Sequence, residues 1–437
     1  MLELVGFFGK GISMETVKKR KFKKATLLIW LCWLVYTCSY LGKVNYSANI
    51  TQFESTYSIS HAEAGLVSTF FFFAYACGQV VNGLFCSKYN VKYTIFGAII
   101  ASSLCNLLVA FSNNFQIVKF AWLVNGAALS VLWPTLIGLL GKTLKREYMV
   151  KASIIMGTTV AVGTAIIYGL SSIFAIFNGF RLAFYFPAIF FPIIAIVWLC
   201  SYKKLTTPSD DDDSLDIVET LVKTESKKHS APFPKEILPM FCVMALVAIV
   251  TNLVAEGLTS WVPVILKSTF ALPDSLSILL TLTLPIVAIF GNLFANAMHK
   301  KIPNFIIMLA MFFGIAGVLI LAVIGLLQFN HAFVVIATIT LLALIRFFAG
   351  SSNSAITSIF PLSMKGKGDS GFLAGILNAF CYVGSIIASY GLGLIADASG
   401  WTTVFYVLFG ACAVVVVVSL IFTSIENIIK NKKAKND

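Results

Sequence analysis

Charge is what this sequence has least of. Only 12% of its 437 residues are charged, and 19 Asp and Glu stand against 32 Lys and Arg. Soluble proteins average about 25% charged residues, so this chain has too little charge to cover a water-facing surface of its size. The composition excludes a soluble enzyme, and we expect no enzymatic activity.

Histidine and closely spaced cysteines are also scarce. Four histidines are scattered along the chain, and none of the nine cysteines forms a Cys-x-x-Cys pair. Structural zinc sites and redox sites need such closely spaced side chains. We therefore expect no metal site, no disulfide framework and no cofactor.

Long apolar runs are what the sequence has instead. Hydrophobic residues make up 58% of the chain, and about 20 mostly apolar residues suffice for a helix to cross a bilayer. We predict an all-α integral membrane protein with twelve transmembrane helices. The predicted crossings are residues 25–50, 61–86, 92–111, 115–143, 150–177, 181–201, 236–267, 275–298, 304–328, 331–362, 369–396 and 401–425.

Basic residues alternate between the connections. The connection at 112–114 and that at 271–274 carry none, whereas Lys142–Lys151 and Lys300–Lys301 are basic. Because Lys and Arg stay on the cytoplasmic side, we predict a multi-pass protein of the plasma (cytoplasmic) membrane with both termini in the cytoplasm. The net charge of +13 is thus an orientation signal, and we expect no binding of nucleic acid.

An internal repeat predicts two pseudo-symmetric six-helix halves. Gly78 and Lys88 recur 213 positions later as Gly291 and Lys301. Two such halves are typical of secondary transporters that work by alternating access. The predicted organisation is a basic cytoplasmic tail at 1–24, an N-terminal half at 25–202, a cytoplasmic linker at 203–235, a C-terminal half at 236–426 and a tail at 427–437.

Three ionisable residues lie well inside predicted crossings: Lys43, Glu256 and Arg346. A charge in hydrocarbon costs at least about 2.5–3.5 kcal/mol, so such residues usually have a partner and a function. We predict that Lys43 and Arg346 bind an anionic solute in a central cavity. Glu256 is expected to form a salt bridge with Lys43 that the solute exchanges, or to take a proton and couple it to transport.

Static roles are the alternative for the same three residues. Lys43 and Glu256 would then form a permanent pair that locks two helices, and Arg346 would bond helix carbonyls or Glu256. Polar and aromatic neighbours extend the predicted substrate site, although Tyr and Trp near helix ends are as often interface anchors as ligands. These neighbours are Tyr36, Tyr40, Asn45, Trp133, Asn252, Asn378 and Tyr382.

Several stretches resemble the major facilitator superfamily, and in particular its organophosphate:inorganic-phosphate antiporter family. They are the segment Tyr40–Tyr46, Trp133-Pro134 before a basic loop, and residues 371–401. The resemblance implies phosphate as a counter-substrate and places Lys43 where that family binds the substrate phosphate on its first helix. The family's second arginine, six residues before a tryptophan on helix 7, is replaced here by Ala255.

The first helix is also similar to that of the anion:cation symporters for sugar acids. Tyr40, Lys43, Asn45 and Ser47 fit the pattern Tyr-x-Asp-Arg-x-Asn-x-Ser, with Gly42 in place of the aspartate. This resemblance implies a carboxylate substrate and protons as the coupling ion, which Glu256 would have to carry in place of the missing acid.

The predicted function is secondary active transport of a small organic anion, such as a sugar phosphate or glycerol phosphate, by alternating access. Three alternatives stay open: proton-coupled symport of a sugar acid, a non-transporting sensor of a phosphate ester, and efflux of a hydrophobic cation with Glu256 as its counter-ion. The expected partners are the anionic solute, a counter-substrate phosphate or protons, and the lipid bilayer. We expect a monomer.

Overall fold

The computed structural model describes residues 23–85, 90–177, 179–207, 215, 238–329, 331–360 and 370–436. These residues form helices and one isolated antiparallel bridge, between Leu144 and Leu215. Apolar side chains line the contacts between helices and also cover much of the outer surface. The predicted all-α membrane class is confirmed.

In the N-terminal half, the described residues form ten helices in six crossings. Short breaks divide the first, fourth and fifth crossings into two or three helices each. The helices are α1 (Lys24–Leu41), α2 (Asn45–Ala48), α3 (Ile50–Tyr57), α4 (His61–Phe85), α5 (Val91–Phe111), α6 (Phe115–Leu129), α7 (Leu132–Thr143), α8 (Arg146–Gly157), α9 (Thr159–Ile176) and α10 (Leu182–Thr206).

In the C-terminal half, the described residues form seven α-helices and two π-helical segments, Ala355–Ile359 and Ile387–Gly391. A π-helical turn is an irregularity that often marks a functional region. The α-helices are α11 (Leu238–Phe270), α12 (Asp274–Thr281), α13 (Thr283–Lys301), α14 (Phe305–Leu326), α15 (Ala332–Ser354), α16 (Ser370–Ile386) and α17 (Leu392–Asn436).

The number of crossings is near the predicted twelve. Within the described residues, eleven helical stretches are long and apolar enough to cross a membrane, and the last of them, Gly375–Ile428, has 54 residues. As one helix it would be about 80 Å long, roughly twice the thickness of a bilayer. Gly400, with φ +78° and ψ 171°, breaks it, because only glycine adopts that conformation readily. This stretch therefore makes two crossings.

Some boundaries differ from the prediction. The first crossing was expected to end near residue 50, but α3 continues to Tyr57. At the other end, α10 runs into the predicted linker, and α17 carries the predicted C-terminal tail as helix to Asn436. The predicted boundaries fall short here because hydropathy identifies only the apolar part of a helix, and these helices continue beyond it. The N-terminal tail up to residue 22 and most of the linker lie outside the described residues.

One contact joins two residues that the predicted two-fold repeat makes equivalent. The hydroxyl oxygens of Ser47 and Ser260 are 3.5 Å apart, and the two residues are separated by 213 positions in the chain. Equivalent positions of a two-fold repeat touch only at its axis. The contact therefore supports the register of the predicted repeat, in which Lys43 and Glu256 are also equivalent.

The bundle has two ends, which we name by their residues. At the termini face, where α1 begins and α10 ends, the Lys24 ammonium donates to the Thr207 carbonyl at 2.9 Å. At the His61 face, α4 begins next to α17. The two halves are tightly closed against each other at the His61 face, where Gly65 of α4 lies directly on the backbone of Ser389.

Candidate functional site

A break in the first crossing positions Lys43. The Gly42 carbonyl accepts hydrogen bonds from the side-chain amides of Asn106, at 3.3 Å, and Asn125, at 2.7 Å. A Cβ at Gly42 would lie 2.7 Å from the ring of Phe191. Helix α1 therefore ends at Leu41, where glycine permits the close approach and two amides bind the freed carbonyl.

The Lys43 ammonium lies in an aromatic cage made of Tyr40, Phe71 and Tyr75. Its Nζ is 4.3 Å from the Tyr75 ring centroid, 4.8 Å from that of Tyr40 and 5.7 Å from that of Phe71. Cation–π contacts of this kind contribute about 0.5–2 kcal/mol each, more when they are shielded from water. The cage holds the positive charge in place, and no carboxylate in the described part of the chain forms an ion pair with it.

Further aromatic side chains extend the cage within the N-terminal half and into the C-terminal half. Tyr36 packs against Trp133 with ring centroids 4.7 Å apart, and it also contacts Tyr40 at 5.6 Å. Tyr382 of α16 contacts Tyr75 at 5.1 Å. Because Tyr382 comes from the C-terminal half, the cage lies at the interface between the two halves.

Arg346 of α15 reaches the same interface from the C-terminal half. Its Nε donates to the Thr259 hydroxyl at 3.3 Å, and the Thr259 carbonyl accepts from the Tyr168 hydroxyl of the N-terminal half at 2.8 Å. Among the described residues, no Asp or Glu forms an ion pair with Arg346. A guanidinium has five N–H donors, so Arg346 keeps donors to offer a ligand.

Glu256 lies on the face of α11 that points into this region. Four residues earlier, Asn252 donates to Ser385 at 3.1 Å and accepts from Asn353 at 3.0 Å. Three residues later, Thr259 binds Arg346. Residues three and four apart share a helix face, so Glu256 faces the interior between these contacts.

The expected salt bridge between Lys43 and Glu256 is not formed in this conformation. The ion pairs among the described residues join His61 to Glu54 and Lys267 to Asp274. The physical reason is the aromatic cage, which holds the Lys43 ammonium on the Tyr40 and Tyr75 rings. Glu256 still interacts electrostatically with both Lys43 and Arg346.

Lys43 and Arg346 are both half-buried. The Lys43 ammonium lies over the Tyr75 ring, which contacts Tyr382 of the C-terminal half. Arg346 bonds Thr259, whose carbonyl accepts from Tyr168 of the N-terminal half. Both side chains therefore lie at the interface of the halves.

Asn45 is placed differently from the other predicted site residues. It is fully buried, and its amide donates to the Asn106 side chain at 2.8 Å and to the Ala183 carbonyl at 3.0 Å. These bonds tie the first, third and sixth crossings together. Both N–H donors of its side-chain amide are occupied inside the N-terminal half, which indicates a role in packing. Its predicted role in substrate binding stays a prediction.

Asn378 and Asn252 belong to polar networks between the aromatic cage and the termini face. Asn378 donates to Gln79 of α4 at 2.9 Å, which links the two halves. Asn252 stays within the C-terminal half, bonded as described to Asn353 and Ser385. Both asparagines are half-buried, so they border the interior without being sealed in a core.

Phe71, Tyr75 and Thr259 were not among the residues predicted for the site. Phe71 and Tyr75 are four residues apart on α4 and therefore share one helix face. The four-residue spacing could have indicated that the two rings share a face. However, both residues lie inside the aromatic run at 70–75, and such a run indicates no preferred face of the helix. Thr259 carries no signal in the sequence, since its role depends on Arg346 from another crossing.

Contacts between the halves close the His61 face, and we call Glu54, His61 and Asp397 the His61 latch. The Asp397 carboxylate accepts from the backbone N–H groups of His61, at 3.0 Å, and Ala62, at 2.8 Å. It thereby caps the N-terminus of α4 from the opposite half. The His61 imidazole Nδ1 lies 2.7 Å from Glu54, and its ring contacts Trp401 with centroids 5.2 Å apart.

Asp397→Asn is expected to loosen the His61 latch. Asparagine has one acceptor oxygen in place of two and no charge, so one N–H bond and the interaction with the helix dipole are lost. This costs about 1 kcal/mol, which corresponds to roughly a fivefold larger open population. Spin labels at the exposed positions Thr56 and Ser399 would report this as a larger long-distance fraction, in a background that lacks the native cysteines. Glu63→Gln is the matched control, because the hydrogen bonds of Glu63 outside its own helix, among the described residues, are to Ser60 of the same half. Equal distance distributions for Asp397→Asn and wild type would contradict the role of the cap.

Comparison with known proteins identifies the family. Residues 32–389 match the Major Facilitator Superfamily. The fold is similar to that of a bacterial homolog of the human lysosomal transporter Spinster. Against its inward-facing, occupied conformation the TM-score is 0.67 at 15% identity, covering 92% of this chain and 94% of the other. Against the unoccupied conformation the TM-score is 0.68 at 14% identity, with 92% and 96% covered.

Two curated relatives match over shorter stretches. The membrane sensor protein UhpC of Escherichia coli (strain K12) is 25% identical over 93 residues, which is 21% of each chain. UhpC of Salmonella typhimurium (strain LT2) is 22% identical over 111 residues, or 25% of each chain. The matches thus span only a fifth to a quarter of these relatives, whereas the superfamily match extends over most of this sequence. The chain belongs to the Major Facilitator Superfamily.

Proposed function

We propose that this protein is a secondary transporter that carries a small organic anion by alternating access. One observation supports this most strongly. Lys43 and Arg346 lie between the halves, and neither forms an ion pair with an acidic residue of the described chain. Two cations in a poorly solvated interior are stabilised when an anion binds them.

The contacts around Lys43 suit reversible binding. In the absence of an anion, the rings of Tyr40 and Tyr75 hold the ammonium. An arriving phosphate or carboxylate offers a charge-assisted hydrogen bond, which is stronger than a cation–π contact. The lysine can therefore exchange one partner for the other without passing through an unpaired state.

The direction from which the solute reaches the site follows from the closed face. Asp397 and Gly65 take part in closing the His61 face, so in this conformation the solute would enter or leave through the termini face. With the termini in the cytoplasm, as the alternation of basic connections predicts, that is the cytoplasmic side. Opening of the His61 face would complete the transport cycle.

A non-transporting sensor is the second candidate. The partial similarity to the membrane sensor protein UhpC favours it, since a sensor can keep the same binding site and lose the cycle. Hydrophobic-cation efflux has less support, because Lys43 and Arg346 outnumber Glu256 at the interface and would repel a cation.

Uptake by proteoliposomes tests the proposal. The panel is glucose 6-phosphate, glycerol 3-phosphate and glucuronate, each assayed with inorganic phosphate inside the vesicles or with an imposed pH gradient. We expect saturable uptake of at least one anion. Uptake driven by internal phosphate alone would indicate antiport, and uptake driven by the pH gradient would indicate proton symport. Saturable binding of a panel anion without any uptake would instead support the sensor, and neither binding nor uptake would contradict both.

A further inference from the structure

Lys43, Arg346 and Glu256 do not neutralise one another. When all three are ionised they sum to one excess positive charge. No ion pair joins any two of them, although all three are described residues. An uncompensated charge in a low-dielectric interior is costly. A solute that binds there therefore neutralises the excess positive charge.

Glu256 is positioned to act on both cations. Its helix face lies between Asn252, which is bonded to the C-terminal half, and Ser260, which touches Ser47 of the first crossing at 3.5 Å. Its charge interacts with those of Lys43 and Arg346. The titratable groups that face it from the surrounding helices are Lys43, Arg346, Tyr40, Tyr168 and Tyr382.

Resting on the transport function proposed above, we propose that Glu256 determines which solute charge is carried and whether a proton moves with it. Ionised Glu256 leaves one positive charge, which a monoanion neutralises. Glu256 with a proton leaves two positive charges, which a dianion neutralises. A dianion is then carried together with one proton, taken up by the Glu256 carboxylate on the side where the dianion binds and released with it on the other side.

This rule follows from the cost of burying net charge. During the conformational change, the site with its solute is closed off from water on both sides, so any uncompensated charge raises the barrier. A monoanion with ionised Glu256 and a dianion with protonated Glu256 are both neutral. A dianion with ionised Glu256 leaves a net negative charge and is disfavoured.

Two sugar anions of different charge provide the test. Glucuronate is a monoanion at pH 7.5, and glucose 6-phosphate is then mostly a dianion, because the second pKa of a phosphate ester is about 6. Both share a pyranose ring. In wild-type proteoliposomes with an internal pH-sensitive dye, we expect one proton to enter with each glucose 6-phosphate and none with glucuronate.

Glu256→Gln keeps the size of the side chain and fixes it as neutral. We expect the ratio of glucose 6-phosphate uptake to glucuronate uptake to rise at least about tenfold, since a unit charge is removed from a weakly screened site. Proton movement with glucose 6-phosphate should disappear. Glu63→Gln removes a carboxylate at the His61 face, outside the site, and is the control; it should retain the wild-type ratio and proton count.

The outcomes separate this inference from the function on which it rests. An unchanged uptake ratio and proton count in Glu256→Gln would overturn it. So would loss of both uptakes in Glu256→Gln, normalised to folded protein, while Glu63→Gln transports normally, because the neutral site should still carry a dianion. If wild-type protein moves no anion of the panel, the transport function itself fails, and the inference fails with it.

Discussion

Lys43→Ala is expected to remove anion uptake. Lys43 is the cation of the first crossing, and loss of one partner of a buried charge pair costs about 2–5 kcal/mol. The kcat/KM for the best anion of the panel should therefore fall at least about 30-fold. Initial rates of uptake into proteoliposomes, normalised to the amount of folded protein, measure this directly.

Lys119→Ala is the matched control for this variant. Lys119 also lies over an aromatic ring, with its Nζ 5.1 Å from the centroid of Phe115, but it lies near the start of α6 and outside the described site. We expect its uptake to stay within about twofold of wild type, as for most substitutions at partly exposed sites. Normal uptake by Lys43→Ala, or an equal loss in both variants, would refute the role of Lys43.

Gly65→Ala is expected to prevent closure of the His61 face. A Cβ at this position would collide with the carbonyl oxygen of Ser389 in the π-helical segment Ile387–Gly391. The obstacle is backbone, which cannot rotate away as a side chain can. Overpacking of this kind costs about 1–3 kcal/mol or more, so the ratio of closed to open protein and the rate of uptake should fall at least about fivefold.

The measurement combines uptake with the distance between spin labels at Thr56 and Ser399. In Gly65→Ala, the long-distance population should dominate while a panel anion still binds. Gly97→Ala is the control, because a Cβ at Gly97 meets no atom within 4 Å. Wild-type uptake and an unchanged distance distribution in Gly65→Ala would show that this contact takes no part in the cycle.

The fold was largely predictable from the sequence because the hydropathy and charge of consecutive residues determine where the crossings lie. Apolar runs identify the crossings, and one residue, Gly400, explains why Gly375–Ile428 makes two crossings instead of one. The break at Gly42 was not predictable. It depends on amides of Asn106 and Asn125, which come from two other crossings and reach the Gly42 carbonyl only in the folded bundle.

The candidate site was predictable in part, for a related reason. Charged residues are so rare inside membrane helices that Lys43, Arg346 and Glu256 stand out by composition alone. Their partners do not, because side-chain contacts between distant crossings leave no local pattern. A salt bridge was therefore expected for Lys43, whereas its ammonium rests on Tyr75, one of many aromatic residues in the chain.

Equilibrium binding tests the central claim, that one anion is held by Lys43 and Arg346 together. Radiolabelled glucose 6-phosphate and glucuronate are each titrated against purified wild type, Lys43→Ala, Arg346→Ala and Lys119→Ala. We predict that wild type and Lys119→Ala bind at least one of the two anions with similar affinity. Each of the other two variants should lose at least about 30-fold in affinity. Wild-type affinity in both Lys43→Ala and Arg346→Ala would contradict the claim.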